Sequence, residues 1–262
     1  MRTTLIFLLL TTRLFTACSQ SEARVGELFS QIATQDSGYL QKKDALLILS
    51  MANVLDSTNI DYERDIKESD TIAKYYRMNN GNYLFSIEYD IYYAPILIEC
   101  SPKGKVLKKE DYFHGYSGHC RNFYKLGDFF GLEIYDQGFP SANILLYLFK
   151  EVTPQDSLNI IPIWHWDIYN EEEDEEGHAI NITYIDCSST MKLENDSLTV
   201  TYITEILVME PVDNEKDDKV VFKVIEEKEP LDVLYIYKNK QWHLADKENL
   251  ETLPYWISFH WE

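Results

Sequence analysis

The sequence has no apolar run near its start that is long enough to cross a membrane. The run at Leu5–Leu10 is far shorter than the ~20 apolar residues that a spanning helix requires. This shortage disfavours an uncleaved transmembrane anchor, and it leaves an export signal as the expected role of the segment.

Basic residues are also scarce. Lys and Arg number 24 against 44 Asp and Glu, which gives a formal net charge of −20. Such a chain repels phosphate backbones and anionic lipid heads, so we expect no nucleic-acid partner. A basic protein, a cation or a neutral ligand such as a glycan fits the charge better, although the acidity can also serve solubility alone.

Paired cysteines are missing, because none of the four cysteines stands in a Cys-x-x-Cys pair. This absence argues against the usual zinc patterns, and we expect no metal and no cofactor. Export would permit one disulfide, and Cys100 and Cys120 would close the shortest loop. The alternative is that Cys100, Cys120 and Cys187 are buried free thiols, which pack as small apolar residues.

Internal repeats are absent, and no helical pattern separates the strand-like segments of the chain. The first absence argues against a repeat architecture, and the second disfavours a parallel α/β fold. Short alternating segments at intervals of roughly 8–12 residues instead predict antiparallel sheets in a sandwich or a propeller-like array. Turn signals divide these segments at Asn80-Gly81, Ser101–Gly104, Asn195-Asp196 and Lys238–Lys240.

The first eighteen residues of the chain have the pattern of an export signal. A basic start precedes the apolar run Leu5–Leu10, and Phe15–Ala17 then stands directly before Cys18. This order resembles the signal peptide and lipobox of bacterial lipoproteins. The resemblance implies cleavage after residue 17, acylation of Cys18 with chains such as palmitate, and attachment to a membrane of the cell envelope, on its periplasmic or cell-surface face.

The segment after Cys18 has apolar residues that recur with the period of a helix. Apolar residues spaced by three and four predict helices at 24–36 and 41–56, with Gly38 ending the first in a left-handed conformation. The short connection predicts an N-terminal helical hairpin. We therefore divide the chain into a signal peptide at 1–17, a lipidated tether at 18–23, a helical segment at 24–74 and an antiparallel β domain at 75–262.

The predicted fold is α+β and mainly β, with the helical hairpin packed on a large antiparallel β region. Ile144–Phe149 is apolar on both faces, which predicts a central strand. Pro162 predicts that the strand around it is bent or lies at an edge. The six consecutive acids at 171–176 are typical of a solvated loop and do not match the EF-hand calcium pattern.

Two stretches are candidate sites. Trp164 and Trp166 share one face of a predicted strand, and His165 and Asp167 share the other. This aromatic platform beside polar groups is a candidate ligand-binding site, although aromatic residues also pack well on sheets for structural reasons alone.

The second stretch, His114–His119, nearly forms the nucleophile elbow Gly-x-Ser-x-Gly around Ser117, but it lacks the final glycine. A glycine-rich surface loop is the alternative interpretation.

The function that the sequence favours is that of a non-enzymatic binding module with a protein or glycan partner, so no catalytic residue is assigned. One alternative is an envelope hydrolase that uses His114, Ser117, His119, His165 or Asp167. Another is an immunity or inhibitor lipoprotein that neutralises a basic toxin by charge complementarity.

Overall fold

The chain is mainly β, in two compact units of antiparallel strands. The computed structural model describes residues 22–54, 72–88, 95–112, 119–138, 141–154, 157–173, 179–211 and 220–245, without side chains at 171–181 and 210–220. Cys18, the predicted signal peptide and the candidate residues His114 and Ser117 lie outside these ranges. Within them, no helix is long and apolar enough to span a membrane.

The first unit combines two helical segments with a five-stranded sheet of order β1-β2-β3-β4-β5. Its elements, in chain order, are α1 (22–32), β1 (Ser37–Tyr39), α2 (Lys42–Met51), β2 (Ile72–Arg77), β3 (Tyr83–Glu88), β4 (Ile96–Cys100) and β5 (Val106–Asp111). The unit therefore groups the helices with these strands, and the division of the chain falls after Asp111 instead of at the predicted limit of residue 75.

The prediction of a helical hairpin is wrong, because a strand separates the two helices. Residues Ser37–Tyr39 pair with β2 as an edge strand, and Gly38 lies opposite Tyr75. A Cβ on Gly38 would approach Cε1 of Tyr75 to 2.9 Å. Glycine is needed here because the tyrosine ring covers it, and the chain crosses to the sheet instead of turning back as a helix.

The helices pack on one face of this sheet and form a single core. Phe29 of α1 meets Tyr83 and Phe85 edge-on, at ring-centroid distances of 5.6 and 6.0 Å. Ile48 of α2 is fully buried in the same cluster. Lys109 of β5 donates from Nζ to the carbonyl of Ala52 at 2.9 Å, which places a cation at the carboxyl end of α2 where the helix dipole favours it.

The turns of this unit follow from local sequence. Gly81 adopts a φ of 83° between β2 and β3, and Gly104 a φ of 81° between β4 and β5. The Gly104 amide donates to the carbonyl of Ser101 at 2.9 Å, which closes the predicted turn. A Cβ on Gly104 would lie 2.5 Å from Cγ1 of Val25. Glycine therefore serves both the turn and the close approach of α1.

The second unit is a nine-stranded antiparallel sheet of order β14-β13-β11-β10-β9-β8-β7-β6, with β12 also paired to β11. Its strands are β6 (His119–Leu126), β7 (Phe129–Gln137), β8 (Ala142–Phe149), β9 (Ile160–Glu173), β10 (Ala179–Glu194), β11 (Ser197–Pro211), β12 (Val220–Glu227), β13 (Leu231–Lys238) and β14 (Gln241–Leu244). Local turn chemistry again joins neighbours: Asn195 between β10 and β11 and Asn239 between β13 and β14 have φ near 54° and 53°.

The strand β11 is long enough to take two partners along one edge. Its first half pairs with β13, from Ser197 to Tyr202, and its second half pairs with β12, from Glu205 onward. Several apolar side chains of β12 are exposed, among them Phe222 and Ile225. This strand therefore extends the sheet without adding to the core.

The core of the second unit joins distant strands of the same sheet. Trp242 of the end strand β14 is 1 % exposed, and its indole Nε1 donates to the carbonyl of Leu148 in β8 at 2.8 Å. Its ring lies 5.0 Å from that of Phe129 in β7. The sheet is thus curved enough for its end strand β14 to pack against β7 and β8, which lie near its other end.

The strand β8 lies between β7 and β9, and its residues are almost all buried, which confirms the prediction of a central strand. The strand β9 carries the predicted irregularity at Pro162. Leu145 pairs with Pro162 and Ile144 with Trp164, so that Ile163 is left unpaired as a bulge. Tyr202 donates its hydroxyl to the Pro162 carbonyl at 2.7 Å.

The backbone of β9 runs on to Glu173, paired with β10. The first three of the six acids at 171–176, which were predicted to form a solvated loop, therefore belong to a strand.

Candidate functional site

A cavity of about 420 Å³ opens on four neighbouring strands of the second unit, and we call it the β6–β9 cavity. Four of the residues that line it form one row across the sheet: His119 lies opposite Tyr135, Tyr135 opposite Ile144, and Ile144 opposite Trp164. Directly opposed residues of antiparallel strands share a face. Register alone therefore brings these four side chains together.

Two bulges shape the cavity. In β6, Cys120 pairs with Ile134 and Asn122 with Glu133, so Arg121 is the extra residue and lines the cavity beside His119. In β9, the bulge next to Pro162 sets the register that places Trp164 opposite Ile144. A bulge changes the direction of side chains around it, and here both changes serve the same cavity.

The aromatic walls are held in defined orientations. The rings of Tyr135 and Trp164 are nearly parallel, with an interplanar angle of 28° and centroids 6.3 Å apart. The imidazole of His119 lies 4.9 Å from the Tyr135 ring. The indole Nε1 of Trp164 donates to Oδ1 of Asp186 in β10 at 2.8 Å, which fixes the rotation of the ring. Asp186 is thus a positioning residue for the wall.

Three polar groups of the lining make no hydrogen bond or ion pair with any described residue. They are the guanidinium of Arg121, the imidazole of His119 and the hydroxyl of Tyr135. Because Arg121 is exposed and the other two are half-buried, all three can reach a molecule in the cavity. The cavity therefore combines flat apolar walls with donors for ligand oxygen atoms, which is the usual composition of a small-molecule site.

The structure separates the predicted tetrad Trp164, His165, Trp166 and Asp167. Only Trp164 lines the cavity. Trp166 stacks on Tyr184 of β10, with centroids 5.0 Å apart and an angle of 15° between the planes. Asp167 accepts a hydrogen bond from the backbone amide of Ile168 at 2.7 Å.

His165 is buried, and its side chain contacts other residues of the sheet. Its Nδ1 lies 2.7 Å from the amide oxygen Oδ1 of Asn143 in β8. Burial lowers the pKa of His165 below its ordinary value of 6.5, and the nearby charge of Asp167 offsets only part of that effect. The imidazole is therefore held neutral by the fold.

This lowered pKa predicts a loss of stability in mild acid. Below pH 6.5 the unfolded chain takes up a proton on His165 that the folded chain resists, so the free energy of unfolding falls as the pH drops. His165→Asn keeps a donor for Asn143 but cannot be protonated, and its melting temperature should fall less between pH 7 and pH 5 than that of the parent. A parallel scan at pH 8, where both side chains are neutral, isolates the cost of the substitution. Equal falls in melting temperature between pH 7 and pH 5 would show that His165 is not the cause of the loss.

The described cysteines are all free thiols, including the candidate pair Cys100 and Cys120. Cys100 belongs to the core of the first unit, and Cys187 to that of the second. Burial raises the pKa of Cys100 to about 12 and that of Cys187 to about 11. Such thiols are protonated and unreactive at neutral pH.

Three of the residues considered for hydrolysis lie in the described ranges, namely His119, His165 and Asp167, and of these His119 alone lines the cavity. His165 and Asp167 are held by the contacts above and do not line it. Nor do three or more His, Cys, Asp or Glu side chains of the described ranges converge in a way that would hold a metal ion.

Sequence reasoning missed Arg121, Tyr135, Ile144 and Asp186. Each sits in a strand whose pattern is equally typical of ordinary packing, and only the register between strands reveals the site. No local motif marks them. Comparisons of the chain with protein-family models, with curated proteins and with solved structures find no match.

Proposed function

We propose that this chain is a lipid-anchored protein of the cell envelope that binds a glycan in the β6–β9 cavity and catalyses no reaction. The anchor is Cys18, and the proposal for it rests on the lipobox-like sequence at residues 15–18. The binding role rests on the cavity itself, and above all on the row of His119, Tyr135 and Trp164.

The aromatic walls support a sugar as the ligand. A pyranose ring has an apolar face of C–H groups that packs flat against an aromatic ring, and its hydroxyl groups extend from the ring edge. The nearly parallel rings of Tyr135 and Trp164 provide such a surface, and the hydroxyl of Tyr135 and the imidazole of His119 are near enough to meet the ring edge. Tyrosine and tryptophan suit this role because each joins a large apolar face to a polar group.

The composition of the cavity supports binding over catalysis. Its described lining comprises one arginine, one histidine, one tyrosine, one tryptophan and one isoleucine, with no carboxylate and no serine or cysteine nucleophile. Glycoside hydrolysis generally uses a pair of carboxylates across the scissile bond. A histidine beside an arginine can instead orient and neutralise a ligand without transferring a proton.

The test is direct binding of the purified chain to a panel of immobilised neutral and acidic oligosaccharides, compared with Tyr135→Ala. We expect at least one member of the panel to bind the parent, with Tyr135→Ala weakening that binding about tenfold, because half of the apolar wall and one donor are removed.

The matched control is Tyr39→Ala, which removes a tyrosine that is 72 % exposed on the first unit and should leave binding unchanged. Circular dichroism and thermal melting establish that both variants are folded. If no oligosaccharide binds the parent, or if Tyr39→Ala weakens binding as much as Tyr135→Ala, the proposal fails.

A further inference from the structure

Resting on the proposed function, we infer that the ligand is an acidic sugar, and that Arg121 recognises its oxyanion while Tyr135 and Trp164 hold its ring. The relevant chemistry is a sugar unit that carries a carboxylate or a sulfate. The inference adds charge selectivity, with a named residue, to a cavity whose walls alone would accept neutral sugars.

The position of Arg121 is the first argument. As the unpaired residue of the β6 bulge, it adds a side chain to the cavity beyond the row formed by regular pairing. Bulges often occur next to functional sites, where they re-aim a side chain. His119 and Arg121 are two residues apart on β6, and both the imidazole and the guanidinium line the cavity.

The second argument is that Arg121 has no hydrogen-bond or ion-pair partner among the described residues. In a chain with 44 acidic residues, a guanidinium could readily find a carboxylate, yet Arg121 makes no hydrogen bond or ion pair with any residue of the described ranges. The carboxylate of Asp186, which contacts the aromatic wall, accepts a hydrogen bond from the indole of Trp164. The described lining of the cavity therefore contains a cation, Arg121, that no described carboxylate pairs with, in a strongly acidic protein.

The chemistry of the guanidinium identifies the ligand class. Its planar fork donates two parallel hydrogen bonds to a carboxylate or to another oxyanion, and these bonds are about twice as strong as neutral ones. The −20 charge of the chain repels polyanions such as nucleic acids at long range. A small ligand with one anionic group next to a stacking face satisfies both conditions.

The experiment compares acidic probes that carry one anionic group with their neutral counterparts. Binding constants are measured by calorimetry for galacturonic acid and its methyl ester, for 3′-sialyllactose and its methyl ester, and for 3′-sulfolactose beside lactose. We expect at least one acid to bind about tenfold more tightly than its neutral counterpart, with the sialylated and sulfated arms distinguishing carboxylate from sulfate. Arg121→Gln should remove that preference and leave the affinity for the neutral probe unchanged.

Further variants separate the effect of the planar guanidinium fork from the effect of its positive charge. Arg121→Lys keeps the charge but loses the fork, so it should retain only part of the preference. Arg24→Gln makes the same change of charge on α1 of the first unit, at an exposed site, and should behave as the parent does. Tight binding of the neutral probes with no acid preference overturns this inference and leaves the proposed function standing. A preference that survives Arg121→Gln overturns the assignment to Arg121, and failure of all probes to bind the parent overturns both proposals.

Discussion

Replacing Trp242 with alanine is expected to lower the free energy of unfolding of the second unit by about 3–5 kcal/mol, the range for a buried tryptophan or phenylalanine. The side chain is 1 % exposed, and it packs against the rings of Phe129 and Tyr237 at 5.0 and 5.3 Å. Its loss would leave a large cavity between β14 and the strands β7 and β8. It would also leave the carbonyl of Leu148 without the indole donor.

The effect is large because Trp242 connects parts of the sheet that are far apart in strand order. The end strand β14 has only four residues and pairs with β13 alone along its ladder. The contacts of Trp242 with β7 and β8, together with the hydrogen bond from Asn159 Nδ2 to its backbone carbonyl at 2.6 Å, hold that strand in place. Removing the ring should therefore loosen the curvature of the whole sheet.

Urea denaturation followed by tryptophan fluorescence and circular dichroism measures this loss. Trp242→Phe restores an aromatic ring without the N–H donor, and it should cost only about 1–2 kcal/mol, mostly for the unpaired carbonyl. Leu234→Ala on the adjacent strand, at a side chain that is 42 % exposed, should cost about 0.5 kcal/mol or less. A loss below 2 kcal/mol for Trp242→Ala would show that β14 is not held by this packing.

The sequence predicted the turns and the class of sheet well, because both depend on local chemistry. Gly81, Gly104 and Asn195 adopt the left-handed conformations that their turns require, and period-two alternation marks the strands. Local sequence could not reveal that the predicted helical hairpin is wrong. Ser37–Tyr39 is too short to carry a period, and its state is decided by a tertiary contact, the ring of Tyr75 over Gly38.

The candidate site was predicted only in fragments. Trp164 and His119 were named for separate reasons, from two different stretches of chain. Their neighbours Tyr135 and Ile144 were not named, because membership of the site depends on which residues face one another across strands. A shift of one residue in register would turn each strand to its other face, and no local pattern fixes register to that accuracy. The bulge at Arg121 has no sequence signal at all.

Register also explains why two tryptophans that alternate on one strand have different surroundings. Trp164 and Trp166 were predicted to form one platform, since side chains two residues apart share a face. Asp186 lies directly opposite Trp166 on β10 and bonds to the indole of Trp164. Trp166 stacks instead on Tyr184, one alternate position further along β10. The shared face is thus divided, with one tryptophan in the cavity wall and the other in a structural stack.

This division predicts opposite results for two closely matched substitutions. Trp164→Ala should weaken binding of the tightest oligosaccharide of the panel by about 30-fold, equivalent to about 2 kcal/mol, the loss typical of a central tryptophan in a binding site. Trp166→Ala, on the same strand two residues away, should change the affinity by less than about twofold, since a contact outside the site contributes little. It should nevertheless lower the melting temperature, because Tyr184 loses its stacking partner.

Substitutions of Asp186 test whether the ring of Trp164 must be held in one orientation for the ligand to bind. Asp186→Asn retains an oxygen that accepts from the indole of Trp164 and should preserve the affinity, whereas Asp186→Leu removes the acceptor and frees the ring to rotate. We expect Asp186→Leu to weaken binding in the same direction as Trp164→Ala but by less, because the ring is still there to stack. If Trp166→Ala abolished binding and Trp164→Ala did not, the binding site would lie on the Trp166–Tyr184 stack, and the β6–β9 cavity would have no part in it.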